Sequence, residues 1–236
     1  MRQIFLDTET TGFNANLAVN PDRMVEIGCV EMVNRKLTGN NLHIYVNPER
    51  DSDEGALRVH GLTTEFLSDK PKFATIARQL LDFVADAEII IHNAPFDISF
   101  LDAELARAGH QPFRKYVASV TDTLVLAKEM FPGKRNSLDA LCDRLEVDNS
   151  GRILHGALLD AELLADVYIN MTRGQDALLM DVGSSQERGV EVVQVDLRGF
   201  QLPVLAANAQ ELASHDEVLV QIDKSSGGKT VWRKVA

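Results

Sequence analysis

The sequence predicts an α/β fold over residues 1–173, with a mixed sheet flanked by helices and a C-terminal extension after it. Three segments with strand-like patterns come first, and segments with the helical spacing of apolar residues follow them. A short apolar run between two of the predicted helices supplies a further strand. A strand meander followed by alternating helices and a strand is the element order of a layered α/β domain.

The first three predicted strands form an antiparallel meander. They cover Arg2–Thr8, Val25–Val33 and Leu42–Val46, and the string Thr-Gly-Asn-Asn at 38–41 predicts the turn between the last two. Strands joined by short turns pair in antiparallel fashion, because parallel neighbours need a long crossover connection.

The second half of the domain is predicted to be mainly helical. Apolar residues recur with helical spacing in four segments, and one short apolar run reads as a buried strand. The helices are predicted at Phe73–Ala85, Phe96–Ala108, Asn136–Leu145 and Ala157–Met171, and the strand at Glu88–His92.

Composition narrows the class of protein. The chain has 236 residues and 45% hydrophobic content, enough for a sizeable core. No stretch approaches the roughly 20 apolar residues of a membrane helix, and the N-terminus lacks the pattern of a secretory signal, which predicts a cytoplasmic protein without membrane contact. The net charge of −11 argues against wrapping long duplex DNA, but not against an enzyme that binds one strand end through metal ions. Cys29 and Cys142 stand among apolar residues and are predicted to be buried, reduced thiols.

The pattern changes near Arg173. Residues 174–194 are predicted to hold a binding segment and a linker, because 181–194 show no regular period over their first half. Residues 195–236 regain apolar content without an obvious core of their own, which is typical of a segment that binds a partner.

Asp7 and Glu9 stand at the end of the first predicted strand. Residues two apart on a strand point to the same face, so the two carboxylates are expected side by side. Hard oxygen ligands of this kind suit Mg²⁺ or Mn²⁺. A solvated strand end with two chance acids is the alternative.

Asp97 lies in the first turn of a predicted helix that follows the apolar strand. The helix dipole favours an acid there, so a purely structural aspartate is one interpretation. The functional interpretation rests on position, since sites in α/β proteins form where a buried strand meets a helix start.

His155 and Asp160 form the third feature. Five residues on a helix correspond to about 500° of rotation, so the two side chains would not share a helix face. His155 is therefore predicted in a loop that leads into the helix and folds back over the site that Asp160 faces. A loop histidine there can act as a general base near neutral pH, although a surface histidine is the alternative.

The three motifs in this order resemble the DEDDh exonuclease family, named for four acids and a histidine. Within the family, the strings LDTETTG, FPGKRNSLDALC and HGALLDAELLADVY are similar to the epsilon, or proofreading, subunits of bacterial DNA polymerase III. The resemblance implies a ribonuclease-H-like fold and 3′→5′ hydrolysis that releases 5′-monophosphates. It implies that Asp7, Glu9, Asp97 and Asp160 hold two ions of Mg²⁺ or Mn²⁺ and that His155 is the base.

The resemblance also implies substrate contacts. Asp7, Glu9 and Asp160 would contact the 3′-terminal nucleotide, together with His60. The family carries an acid five residues before that histidine, where this sequence has Gly55, so a contact there would be made by the backbone.

Partners are implied in the same way. Gln175, Leu178 and Met180 are spaced like the short motif by which replication proteins bind the sliding clamp, although Met180 stands where Phe is frequent. One further turn of the preceding helix is the other interpretation. Residues 195–236 would bind the alpha subunit of DNA polymerase III, and a small accessory subunit is a further implied partner. The substrates would be single-stranded or frayed 3′ DNA ends.

Two other functions stay open. An RNA-trimming enzyme of the same superfamily, similar to oligoribonuclease or RNase T, would need the same acids. A replisome scaffold without catalysis would keep the fold, but would not need His155.

Overall fold

The computed structural model describes residues 1–152, 154–173 and 207–227. The chain divides into two compact units, residues 1–184 and 185–236. In the described part of the first unit the strands are β1 Arg2–Thr10, β2 Met24–Val33, β3 Lys36–Tyr45, β4 Glu88–Ile91 and β5 Ser119–Asp122. Its α-helices are α1 Glu54–His60, α2 Thr64–Leu67, α3 Phe73–Val84, α4 Ala94–Arg107, α5 Thr123–Met130, α6 Leu138–Leu145 and α7 Ala157–Met171, with a 3-10 turn at Phe113–Lys115.

The five strands form one mixed sheet in the order β3-β2-β1-β4-β5. β1 pairs antiparallel with β2 and parallel with β4, while β2–β3 is antiparallel and β4–β5 is parallel. The predicted meander and mixed sheet are therefore confirmed. β1 lies at the centre, where its carboxyl end is flanked by elements from both halves of the domain.

Each face of the sheet carries a hydrophobic core. On one face, Ile4 and Leu6 of β1 pack with residues of α3 and α4. On the other face, Phe5 packs with residues of α6 and α7. This alternation follows from the two-residue period of a strand, and it places helices on both sides of β1.

The predicted turn at residues 38–41 is wrong, because these residues lie inside β3. The hairpin instead turns at Asn34 and Arg35, which both have positive φ, at 51° and 62°. Two such residues form the turn type that matches the twist of paired strands. Gly39 keeps the positive φ of a turn residue within the strand, opposite a register shift between Val30 and Met32.

The helices follow the apolar pattern closely where they are buried. α7 has the predicted bounds, whereas α4 starts two residues before the predicted Phe96 and α6 two residues after the predicted Asn136. Elements α1, α2, β5 and α5 were not predicted. α1 buries only Ala56 and His60 and therefore lacks an apolar stripe.

One helix of the second unit is described, α8 Ala209–Ser226. It starts at a capping box between Asn208 and Glu211 and ends at Gly227. The linker predicted at 181–194 and the segment Gln175–Met180 lie outside the described residues, so the predicted domain bounds stay predictions. None of the described helices has the length and apolar content to cross a membrane.

Candidate active site

Asp7 and Glu9 leave the same face of β1 near its carboxyl end, as their spacing predicts. Asp7 is partly buried and Glu9 is 9% exposed. In the sheet register, Asp7 lies opposite Gly28 and Glu9 opposite Glu26 of β2. The two carboxylates are thus held by paired strands on a face that a helix covers.

Gly28 lets that helix come close. A Cβ atom at this position would lie 2.2 Å from the backbone carbon of Ala157, the first residue of α7. No side chain fits there without displacing the helix. The contact brings the first turn of α7, which carries Asp160, against the strand pair that carries Asp7.

Asp97 reaches the site from the other side of β1. α4 begins after Asn93, whose positive φ of 66° turns the chain from β4 into the helix, a conformation that Asn tolerates better than most residues. The hydroxyl of Thr8 donates to Asp97 Oδ1 at 2.7 Å. Asp97 is 3% exposed, so the strand and helix together fix its carboxylate.

His155 lies in the loop before α7, as predicted, with 44% of its side chain exposed. Its backbone N–H donates to the Val59 carbonyl of α1 at 3.0 Å. Its Nδ1 lies 3.3 Å from Asp160 Oδ2. The loop therefore folds back over Asp160, tied to α1 through the backbone.

A single cleft of about 550 Å³ brings the predicted catalytic residues together. Four acids and the histidine line it: Asp7, Glu9, Asp97, Asp160 and His155.

His60 and Gly55 lie elsewhere. His60 lines a smaller neighbouring cavity of about 170 Å³ that shares Glu9 and Phe96 with the main cleft. Its side chain is buried, and its Nε2 has no hydrogen-bond partner among the described residues. Gly55 is exposed on α1 and lines neither of these two cavities.

Burial and mutual repulsion disfavour the ionised form of three of the acids. Burial raises the pKa of Asp7 well above its usual range, and the charges of Asp97 and Asp160 add to the shift. Burial, with the charge of Asp160, raises the pKa of Glu9 to about 8. Burial raises the pKa of Asp97 to about 7, against the opposing hydrogen bond from Thr8. Such a cluster is stabilised by a cation that balances its charge.

The donor set fits a divalent metal ion. Glu9, His155 and Asp160 each offer a ligand atom, and these three atoms lie within 4.8 Å of one another. Carboxylate oxygens are the preferred ligands of Mg²⁺ and Mn²⁺, and an imidazole nitrogen suits other divalent ions as well.

Several residues of the cleft were missed by the sequence analysis. Arg152 reaches the acids from the loop before α7, and Lys128, Lys134, Asn136 and Asp139 also line the cleft. Lys134 stands beside Arg135 in the sequence, and two adjacent basic residues are weak evidence for a binding site. The sequence offered one sign that Arg152 belongs to the cleft, its place three residues before His155. A loop has no periodic pattern of apolar residues from which the position of a side chain could be predicted.

Comparisons with known proteins identify the family of the chain. The sequence matches the Exonuclease family over residues 4–168. It is 49% identical to the DNA polymerase III subunit epsilon of Pasteurella multocida over 99% of this chain and 94% of that protein. It is 48% identical to the subunit of the same name from Escherichia coli over 98% of this chain and 97% of that protein.

A solved structure shows the same fold. Exonuclease X, in complex with duplex DNA that has a 5′ overhang, superposes with a TM-score of 0.57 at 24% identity, over 72% of this chain and 90% of that one. The predicted ribonuclease-H-like fold class is thereby confirmed. The family match covers most of the chain, and the two relatives are similar to it over nearly their full length. The chain therefore belongs to the exonuclease family and, within it, to the epsilon subunits of bacterial DNA polymerase III.

Proposed function

We propose that the chain is the proofreading 3′→5′ exonuclease of a DNA polymerase III, which removes mispaired 3′-terminal nucleotides as 5′-monophosphates. The observation that carries the proposal is the meeting of four acids and His155 in one cleft. The near full-length similarity to epsilon subunits supports the assignment to replication.

Asp7, Glu9, Asp97 and Asp160 would hold two ions of Mg²⁺ or Mn²⁺. When bound, such ions activate water and stabilise the leaving 3′-oxygen. The protein's own contribution is positional. β1, α4 and α7 hold the four carboxylates before substrate arrives, so that little ordering remains to be done during hydrolysis.

His155 would take the proton of the attacking water on a ring nitrogen. An imidazole is half protonated near pH 6.5 and can therefore accept a proton at neutral pH. Its partly exposed position at the mouth of the cleft gives access to water, while its backbone bond to Val59 limits how far the loop can move.

The terminal nucleotide would enter between the main cleft and the cavity of His60. Phe13 and Phe96 line that cavity, with ring centroids 6.5 Å apart, and Phe13 is 81% exposed. Aromatic rings of this kind can stack on an unpaired base. His60 lines the same cavity and would supply a polar contact to the nucleotide. A contact at Gly55 would use its backbone.

The C-terminal part would tether the nuclease in the cytoplasm to its partners. α8 exposes Leu212, Val218, Val220 and Ile222 and would bind the alpha subunit of the polymerase. Gln175, Leu178 and Met180 would bind the sliding clamp. A small accessory subunit of the polymerase core is a further proposed partner.

Hydrolysis of matched oligonucleotides tests this function. The full chain with Mg²⁺ should degrade mispaired 3′ ends faster than paired ends, because a mismatch lowers the cost of unpairing the terminal nucleotide. A chelator should stop the reaction. Equal rates on paired and mispaired ends would contradict a proofreading site. Faster hydrolysis of single-stranded RNA would favour the RNA-trimming alternative, and no hydrolysis would favour a scaffold.

A further inference from the structure

The guanidinium of Arg152 lies inside the acid cluster. Its Nε donates to Asp160 Oδ1 at 2.5 Å and its Nη2 donates to Asp160 Oδ2 at 2.6 Å. Its Nη1 donates to Asp139. Both carboxylate oxygens of Asp160 are therefore bound by one positively charged side chain, in the bidentate geometry that arginine forms best.

This ion pair is buried. The side chain of Arg152 is 7% exposed and that of Asp160 is 4% exposed. Burial acts to lower the pKa of Arg152, but the hydrogen bond and charge of Asp160 outweigh it and raise the pKa. Burial likewise acts to raise the pKa of Asp160, but the contacts with His155 and Arg152 bring it below its usual range.

Arg152 also engages the proposed base. Its Nη2 lies 2.8 Å from His155 Nδ1, closer than the 3.3 Å between that nitrogen and Asp160 Oδ2. In the tautomer with an unprotonated Nδ1, that atom accepts a hydrogen bond from the guanidinium, and in the other tautomer it donates to Asp160 Oδ2.

A divalent cation at this site would use Asp160 as well. The ligand atoms that Glu9, His155 and Asp160 offer lie within 4.8 Å of one another, and Asp160 is the residue that Arg152 binds through both oxygens. A metal ion and the guanidinium on one carboxylate are like charges, so each weakens the binding of the other. Asp139 lines the same cleft and is 56% exposed, so Arg152 retains a partner at the cleft wall if it leaves Asp160.

We propose that Arg152 is a positioning residue that competes with the divalent cation for Asp160 and thereby sets the metal affinity of the site. The inference rests on the proposed function, because it assumes that Asp160 is a metal ligand. While Arg152 is in place, Asp160 and His155 are held near their working positions. With a cation held at Asp160, the guanidinium would keep Asp139 as its partner.

Titration calorimetry of Mn²⁺ into the chelator-treated full chain tests the competition. Arg152→Gln should bind Mn²⁺ roughly 10- to 100-fold more tightly than the unchanged chain, the range that corresponds to loss of a competing charge-assisted hydrogen bond. Arg152→Lys should fall between the two, because an ammonium cannot make the bidentate pair. Equal or weaker binding by Arg152→Gln would overturn the inference.

Arg23→Gln is the matched control. Arg23 pairs with the buried Glu104 at 2.5 Å and does not line the cleft, so its loss should lower the melting temperature without changing Mn²⁺ affinity. Should Arg152→Gln fold poorly, the melting temperature rise on adding Mn²⁺ replaces calorimetry, and it should exceed that of the unchanged chain.

Asp160→Asn distinguishes a failure of the proposed metal site from a failure of the proposed role of Arg152. If Asp160→Asn binds Mn²⁺ as the unchanged chain does, the metal site and the proposed function are both wrong. If Asp160→Asn loses Mn²⁺ binding while Arg152→Gln matches the unchanged chain, only the role of Arg152 is wrong.

Discussion

The two compact units differ in what they bury. In the first, the central strand β1 carries core residues on both faces, and Ile4, Phe5 and Leu6 have no exposed surface. In the second, α8 has no buried residue between Ala209 and Ser226, and it exposes four large aliphatic side chains. The first unit supplies its own hydrophobic core, whereas α8 lacks one within its described residues.

This difference indicates a division of labour. A fixed cluster of charges needs a rigid frame, because buried acids stay together only where packing holds them. An exposed apolar helix gains stability by binding a partner. We therefore expect changes in one unit to leave the function of the other intact, and each prediction below tests that independence.

The largest effect is expected at Asp7. Asp7→Ala should abolish hydrolysis and leave folding intact, because it removes a carboxylate whose pKa is raised by burial and by repulsion from Asp97 and Asp160. Binding to the polymerase alpha subunit should not change. Asp166→Ala removes an equal charge from the exposed face of α7 and should have normal turnover. Near-normal hydrolysis by Asp7→Ala in an oligonucleotide assay would contradict the metal-ligand role.

A smaller loss is expected at His155. His155→Ala should lower turnover by roughly 10²- to 10⁴-fold, the usual contribution of a general base, with Mn²⁺ binding largely kept. His215→Ala, on the exposed surface of α8, is the control in the other unit and should not alter turnover. Single-turnover kinetics measure both, and a loss of Mn²⁺ binding in His155→Ala would assign the histidine to the metal instead.

Removing the second unit should affect binding and not chemistry. A fragment of residues 1–173 should stay folded and hydrolyse free oligonucleotides at the rate of the full chain, since the catalytic residues all precede its end. It should lose the polymerase and clamp contacts, and with them the local concentration of order millimolar that a tether provides. Co-purification with the alpha subunit as efficient as that of the full chain would show that the tail is not the tether.

A more selective effect is expected from Gln175→Ala combined with Leu178→Ala in the full chain. The double variant should weaken binding to the sliding clamp and preserve binding to the polymerase, because residues 195–236 are unchanged. Surface plasmon resonance on each partner separates the two contacts. Unchanged clamp affinity would favour the interpretation of this segment as one more turn of helix.

The smallest effect is expected from Gly28→Ala, which tests the frame of the first unit. The added methyl group would overlap the backbone of Ala157, so unfolding free energy should fall by about 1–3 kcal/mol, and turnover should fall with it as Asp160 shifts. Gly55→Ala is the control, because nothing lies within 4 Å of its added Cβ. A helical glycine replaced by alanine should stabilise slightly. Chemical denaturation that shows the same stability for both variants would mean that α7 adjusts freely.

Short stretches of sequence predict those features of the fold that depend on the spacing of nearby residues. The shared face of Asp7 and Glu9 follows from the two-residue period of a strand, and the bounds of α7 follow from its apolar spacing. The turn predicted at 38–41 was wrong because these residues have the composition of a turn, whereas pairing with β2 holds them in a strand. Pairing energy outweighs local preference at such positions.

The sequence by itself determined the strand and helices that carry the four acids and the loop that carries His155, and with them the family of the enzyme. Only the tertiary structure decided how closely they meet. The approach of α7 depends on the missing side chain of Gly28 against Ala157, two residues far apart in the chain. The ion pair of Arg152 with Asp160 depends on a loop whose path has no period to read. Contacts of this kind arise from packing and charge between distant segments, which a local pattern does not encode.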